Sequence, residues 1–425
     1  MAYNILSLDG GGTWALVQAR VLKEKYGPDK KGHDILKEYN LVIANSGGSL
    51  VLSMLCANKS VKEIIDTFND VNVLKAIFKK KLVHNISFLK RFLPNYETEN
   101  KYHVFVEHLT NNGISYGETL LPELPALIGV GCPEIVITCF DYDRQRAVYF
   151  RSNKDSKMEG SSIQNAINPN SVDKDFKAVT LAQAVHGASN APVQFFDDPA
   201  SFPYTNIKSN GEKRTLKNRL FWDGAVGGNN NPVKVGVLEA IANSTNREER
   251  RKDIKVVSIG TSCTILPALY NEDGEFKPEY DWLCRISQID STIGDFERMA
   301  TSILSDPPDA ASFDAHQVLD LPFKQNDKRF VRINPLIKPI LKTQEDTSKA
   351  GWYMPGKKGN WTPEEMKLLF EMDMAIATEN GVKLINRLCD DFFIGKFDNQ
   401  GIRIGGTKLD AILGHKTFNE ALNDW

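Results

Sequence analysis

Leu41-Val42-Ile43-Ala44-Asn45-Ser46-Gly47-Gly48-Ser49-Leu50 decides how this chain is read. An apolar, β-branched run stops at small residues. Leu50-Val51-Leu52-Ser53-Met54-Leu55 then reads as a buried helix. A strand that turns sharply into a helix exposes a serine at the bend and tolerates only small neighbours around it, which is the geometry of a nucleophile elbow. It also sets Ser46 at a helix N-terminus, where unbonded backbone N–H groups favour developing negative charge. The elbow pattern carries glycine where this chain has Ala44. Taken alone, the tetrapeptide also fits a turn or a helix-capping serine.

Outward from this bend, strands and helices alternate. Asn4-Ile5-Leu6-Ser7-Leu8 predicts a short buried strand, followed by Asp9-Gly10-Gly11-Gly12 and a helix over Ala15–Lys25. A helix over Asp34–Glu38 leads into the strand 41–45. Ser60 with Glu63 three residues on predicts a capped helix near 60–68. Residues 101–129 read as helical with a loop at Asn111-Asn112-Gly113. Glu134–Phe140 reads as a strand that continues across Asp141-Tyr142-Asp143 into a partner, Arg146–Arg151. The polar stretch 152–178 predicts a surface insertion. A helix over 180–188, Asp223-Gly224-Ala225 after Leu220-Phe221-Trp222, a helix over Lys234–Asn243 and a strand over Ile254–Ile259 follow. The alternation predicts an α/β protein, layered α/β/α around a mostly parallel central sheet. Past Pro335 the pattern turns helical, with Thr362 capping a helix that has Pro363 at its first position. The expected organisation is a domain over 1–339 and a C-terminal helical extension over 340–425 packed on it.

Composition narrows the function classes. Of 425 residues, 41% are hydrophobic and 25% charged, an ordinary globular balance. The formal net charge of -2 gives no whole-chain reason to expect nucleic acid. Cys56, Cys132, Cys139, Cys263, Cys284 and Cys389 are scattered without a C-x-x-C pair, so neither a metal site nor a disulfide framework is expected. No apolar run approaches the roughly 20 residues of a membrane helix. The first residues enter a strand without a signal-peptide pattern, and a cytoplasmic protein is the default expectation.

Four segments carry chemistry jointly: Asp9–Gly12, the Ser46 bend, Phe221–Ala225 with Asn229-Asn230-Asn231-Pro232, and Gly187-Ala188-Ser189-Asn190-Ala191-Pro192-Val193-Gln194-Phe195-Phe196. Successive glycines after a strand bare backbone N–H groups and can form an anion-binding nest. In order, Asp9–Gly12, Ser46–Gly48, Ala188–Phe195, Asp223–Ala225, Asn230–Pro232 and Val257–Thr261 resemble the motifs of the patatin-like phospholipase family, over roughly residues 4–335. The resemblance implies a three-layer patatin-like fold and a Ser–Asp dyad. Ser46 would be the nucleophile and Asp223 the base. Gly10, Gly11 and Gly12, with Thr13 or Gly47, would form the oxyanion hole. It implies ester hydrolysis on a glycerophospholipid or galactolipid, with no metal and no cofactor. Two positions depart from the family pattern. Ala44 replaces the first glycine of the elbow, and Thr13-Trp14-Ala15 stands where the family usually has a basic residue.

Competing readings remain at this level. The chain could be a non-catalytic binding or storage member of the same family. Asp9-Gly10-Gly11-Gly12-Thr13 also resembles the phosphate loop of actin-like kinases, although no second phosphate loop of matching form accompanies it. His186, His316 and His415 read as packing or surface residues rather than members of a triad. Residues 72–93 mix apolar and basic groups, among them Phe78, Phe88 and Phe92 beside Lys79-Lys80-Lys81 and Lys90-Arg91. This is either an ordinary cap segment or a peripheral contact with a lipid surface.

Overall fold

The run 41–44 lies inside a nine-stranded sheet. The computed structural model describes residues 2–80, 96–158, 176–192, 195–264, 310–322, 327–342, 351–372, 374–403 and 412–425. The strands through residue 333 are β1 (Tyr3–Leu8), β2 (Leu41–Ala44), a small hairpin of β3 (Thr110–Asn111) and β4 (Ile114–Ser115), β5 (Glu134–Asp141), β6 (Arg146–Arg151), β7 (Phe176–Ala178), β8 (Ala200–Ile207), β9 (Lys213–Asp223), β10 (Ile254–Ile259), β11 (Cys263–Thr264) and β12 (Phe330–Ile333). Past Pro335, where the pattern predicts helices, short strands also pair, among them Ile340–Lys342 with Gly351–Tyr353 and Ile402–Arg403 with Ile412–Leu413. In the large sheet the order is β12-β10-β1-β2-β5-β9-β8-β7, with β6 beside β5.

Half of this sheet is parallel. β12, β10, β1, β2 and β5 run the same way, whereas β6, β7, β8 and β9 join by antiparallel pairing. The expected mostly parallel sheet is therefore a mixed one. Of the antiparallel part, β6 follows the turn at Asp141–Asp143, and the rest is built on the β8–β9 hairpin, whose sequence hides it. Pro203 interrupts β8, at a bulge between Pro203 and Thr205, and β9 opens with Lys213-Arg214-Thr215-Leu216-Lys217.

Alternating side chains build the layers. Leu6, Leu8, Val42, Ala44, Ile135 and Ile137 face a core that includes Leu22, Val51 and Val185 from helices Leu16–Tyr26, Ser46–Cys56 and Leu181–Ala188. Ile5, Leu41, Ile43, Val136 and Val256 face the other way, onto Val233 and Val237 of helix Val233–Asn243. Strands buried on both faces read as continuous apolar runs, which is why β1, β2 and β10 were legible.

Register brings two chain segments together. β6 occupies one edge of β5 along residues 136–141. On the opposite edge, β2 pairs as far as Ala44↔Ile137, and β9 pairs from Asp223↔Cys139 onward. Parallel β2 and antiparallel β9 thus meet head to head along one edge of β5, at the point where each strand ends.

Elsewhere the expectations need adjustment. The capping box at Ser60 and Glu63 forms on helix Val61–Asn69, and another forms at Thr362 and Glu365. The early helix spans Gly32–Leu36 rather than 34–38. Residues 101–129 break into helix Thr98–His108, the β3–β4 hairpin and helix Leu124–Ile128. Of the stretch 152–178, residues 159–175 lie outside the described residues. Ser152 and Ser156 are buried and Phe176–Ala178 joins the sheet, so its ends are not surface insertion. Of 72–93, residues 81–93 lie outside the described residues, and Leu74, Ile77 and Phe78 pack inward. From the C-terminal stretch, Met366, Leu369, Ile385, Leu388, Phe392 and Phe418 join the same core as helix Leu16–Tyr26. Arg20 of that helix bonds Asn386 at 2.6 Å and Asp390 at 2.5 Å.

Candidate active site

Ser46 begins its helix with φ 44°, in the left-handed region that a non-glycine residue seldom occupies. Such strain persists only where surrounding structure imposes it. Here the imposing contacts are visible. A Cβ at Gly47 would stand 2.4 Å from the Gly12 carbonyl oxygen, and one at Gly48 would stand 2.5 Å from that of Leu8. Only glycines allow the start of this helix to press against the end of β1. Ala44, one of the two departures from the family pattern, is fully buried in the core, so its methyl fills space that packing provides.

The head-to-head arrangement of β2 and β9 brings Asp223 to Ser46. Asp223 Oδ1 accepts from Asn45 Nδ2 at 2.9 Å and from the Ala225 N–H at 2.9 Å, and the Ser46 hydroxyl is among the groups that act on the same carboxylate. Burial pushes the Asp223 carboxyl above the ordinary aspartate range. The Ala225 N–H, the Ser46 hydroxyl, the Asn45 amide and the charge of Lys101 pull it part of the way back. Asn45 is itself oriented, since Thr138 Oγ1 donates to its Oδ1 at 2.7 Å. Asn45 is a residue of the candidate site that the sequence reading missed. Its neighbour Ser46 drew the attention, and nothing local announces the bond to Thr138.

The glycine loop divides its N–H groups. Gly10 N donates to the Asn230 carbonyl at 2.8 Å and Thr13 N to that of Met374 at 2.8 Å. Both were expected as oxyanion donors, and both are committed to holding the loop. Thr13 Oγ1 adds a bond to the Ile376 carbonyl at 3.0 Å, and Thr261 Oγ1 one to that of Gly10 at 2.6 Å. The N–H groups of Gly11, Gly12 and Gly47 make no backbone hydrogen bond among the described residues. Gly12, with φ 56°, lies against the Ser46 bend through Gly47.

A second missed residue is Arg332. It stands on β12, two strands away from β1. Arg332 Nη2 reaches Asp9 Oδ2 at 2.6 Å, and Nη1 reaches Ser258 Oγ at 2.8 Å, all deeply buried. The signal was a lone arginine inside the apolar strand Phe330-Val331-Arg332-Ile333, where a buried charge needs a partner. Trp14, the other departure, is partly buried against the main core. The histidines stand elsewhere. His186 packs beside Tyr102 and Phe202, His415 Nε2 meets Asp424 at 3.0 Å, and His316 contacts Gln317. Among the described residues no group of three metal-ligating side chains occurs, and no helix is long and apolar enough to cross a membrane.

The arrangement offers a strained hydroxyl, an enclosed carboxylate able to take its proton, and backbone donors beside both. Two solved structures resemble the chain at low similarity. VipD from Legionella pneumophila has 12% identity and a TM-score of 0.32, the match covering 92% of this chain and 67% of that one. Human GIVD cytosolic phospholipase A2 has 10% identity and a TM-score of 0.36, covering 100% of this chain and 61% of that one. No curated protein sequence matches the chain. The family model described as Patatin-like phospholipase matches residues 6–237, more than half of the sequence and the whole span from β1 through the Ser46 bend to Asp223. The chain belongs to the patatin-like phospholipase family.

Proposed function

We propose that this protein is a lipid acyl hydrolase, cleaving carboxylic esters of glycerophospholipids or related lipids through a Ser46–Asp223 dyad. The observation that carries the reading is the left-handed Ser46 at the end of one strand, set where the strand bearing the buried Asp223 carboxylate also ends, with burial raising the proton affinity of that carboxylate. An ordinary aspartate, with a pKa near 4, is a weak base. Desolvation makes Asp223 a stronger one.

Ser46 Oγ attacks the ester carbonyl while its proton passes to Asp223. The oxyanion meets the N–H groups of Gly11, Gly12 and Gly47. One such donor is worth about 3–4 kcal/mol of transition-state stabilisation. Collapse breaks the ester C–O bond, the leaving alkoxide takes the proton from Asp223, and an acyl-serine remains. Water then gives a proton to Asp223 and attacks the acyl carbon. The second collapse returns that proton to Ser46 and releases the fatty acid. The kinase reading loses its metal-binding residue, because Asp9 is buried in an ion pair with Arg332.

Free fatty acid released from phospholipid vesicles, measured by mass spectrometry, tests the proposal. Ser46→Ala and Asp223→Ala are each expected to lose all detectable release. Undiminished release by the Ser46→Ala protein overturns the mechanism, and a wild-type Ser46 that no fluorophosphonate probe labels favours a binding role.

A further inference from the structure

Lys101 is fully buried on helix Thr98–His108. Lysine is rarely enclosed without a partner, because burying its charge costs several kcal/mol. Its Nζ donates to Asn190 Oδ1 at 2.9 Å and lies 3.9 Å from the centroid of the Phe196 ring, a cation–π contact. Asn190 connects this ammonium to the dyad. Its backbone carbonyl accepts the Asp223 N–H at 3.0 Å, and its side-chain Nδ2 donates to the Asp198 carbonyl at 2.8 Å. The helix that carries Lys101 is pinned to the same segment, since Thr98 donates to Asp197 Oδ1 and to the Asp198 carbonyl.

The titratable groups facing Lys101 are Asp223 on β9, Cys139 on β5 and His186 on helix Leu181–Ala188. Burial pushes the Cys139 thiol well above its usual range. Burial, with Lys101 and His103 adding to it, pushes His186 well below its own. Both are thereby driven to neutral forms. Burial pushes Lys101 itself well below the usual lysine range, and the charge of Asp223 is the largest effect working against that.

We propose that Lys101 is a positioning residue for Asp223: its buried ammonium is the counter-charge of that carboxylate, and Asn190 is the strut that holds both. Its use in the reaction rests on Asp223 acting as the base. Without the counter-charge the enclosed carboxylate would hold its proton more tightly and accept one from Ser46 less readily. A counter-charge at one remove keeps it ionised without occupying the lone pairs that face the serine.

The test uses the full chain with two neutral replacements, Lys101→Met and Lys101→Gln, aspartate-selective 13C carboxyl labelling, and Asp223→Asn to assign the resonance. The Asp223 carboxyl is expected to titrate at higher pH in both variants than in wild type. Fluorophosphonate labelling of Ser46 is expected to lose its acid side in parallel, falling about tenfold at pH 6. An unmoved carboxyl titration in either folded variant overturns the proposal, whatever the labelling shows. Failure of both variants to fold also overturns it, by making Lys101 a purely structural residue. A wild-type chain that does not label Ser46 counts against the hydrolase reading alone, and the carboxyl titration still decides the counter-charge.

Discussion

In the proposed mechanism Asp223 serves chemistry at a cost to stability. Its folded-state pKa lies above that of an exposed aspartate, with burial as the largest cause. The sign follows from linkage. A proton is bound more tightly in the folded state, so the contribution to stability is full below the unfolded pKa and is lost as pH rises through the folded one. Asp223→Asn is therefore expected to be inactive and yet to melt a few degrees higher than wild type at pH 8. Calorimetry across pH should show the difference shrink as pH falls. Asn45→Ala removes a hydrogen bond made to the charged form. It is expected to lower kcat/KM about 10- to 100-fold and to move the acid limb of the pH profile upward. The sequence drew attention to Ser46 and Asp223 because each sits among small turn residues that recur in the order of the family motifs. It could not show Asn45, Arg332 or Lys101 at work, because each acts on a residue far away in the chain. Arg332 and Asp9 are 323 positions apart.

At the scale of elements, the decisive contact is between the start of helix Ser46–Cys56 and the glycine loop. Gly47→Ala would force a methyl to 2.4 Å from the Gly12 carbonyl oxygen and 2.7 Å from its nitrogen. The expected result is a destabilisation of about 1–3 kcal/mol by urea unfolding. Hydrolysis should fall by more than the fraction unfolded, because the same methyl enters the space of the proposed oxyanion hole. The parallel half of the sheet was readable from apolar runs. The β8–β9 hairpin was not, since β9 is largely exposed before Phe221 and its Lys- and Arg-rich start carries no apolar face to read. The donor set was misread for a related reason. Glycines advertise bare N–H groups, but only the fold shows that Asn230 and Met374 have already claimed those of Gly10 and Thr13.

Across the whole molecule, remote segments lock the site. Met374 and Ile376 accept from Thr13, tying the C-terminal stretch to the glycine loop. Thr13→Val is expected to cost about 1 kcal/mol of stability and to slow Ser46 labelling without changing its pH dependence. Arg332→Ala would take away the guanidinium that meets the buried Asp9 carboxylate. Its unfolding midpoint in urea should report a loss of about 3–5 kcal/mol, much of it restored by adding Asp9→Asn. The head-to-head strands carry a last consequence. Ala44 is opposite Ile137 and Asp223 opposite Cys139, so the strands that lead to the proposed nucleophile and the proposed base are both measured off against one neighbour, two residues apart. β5 is in effect a gauge block. Loops anywhere else can lengthen without altering the gap between hydroxyl and carboxylate. Adding or removing one residue at Thr138 would shift the two strand ends by about 3.3 Å and turn one of them to the opposite face.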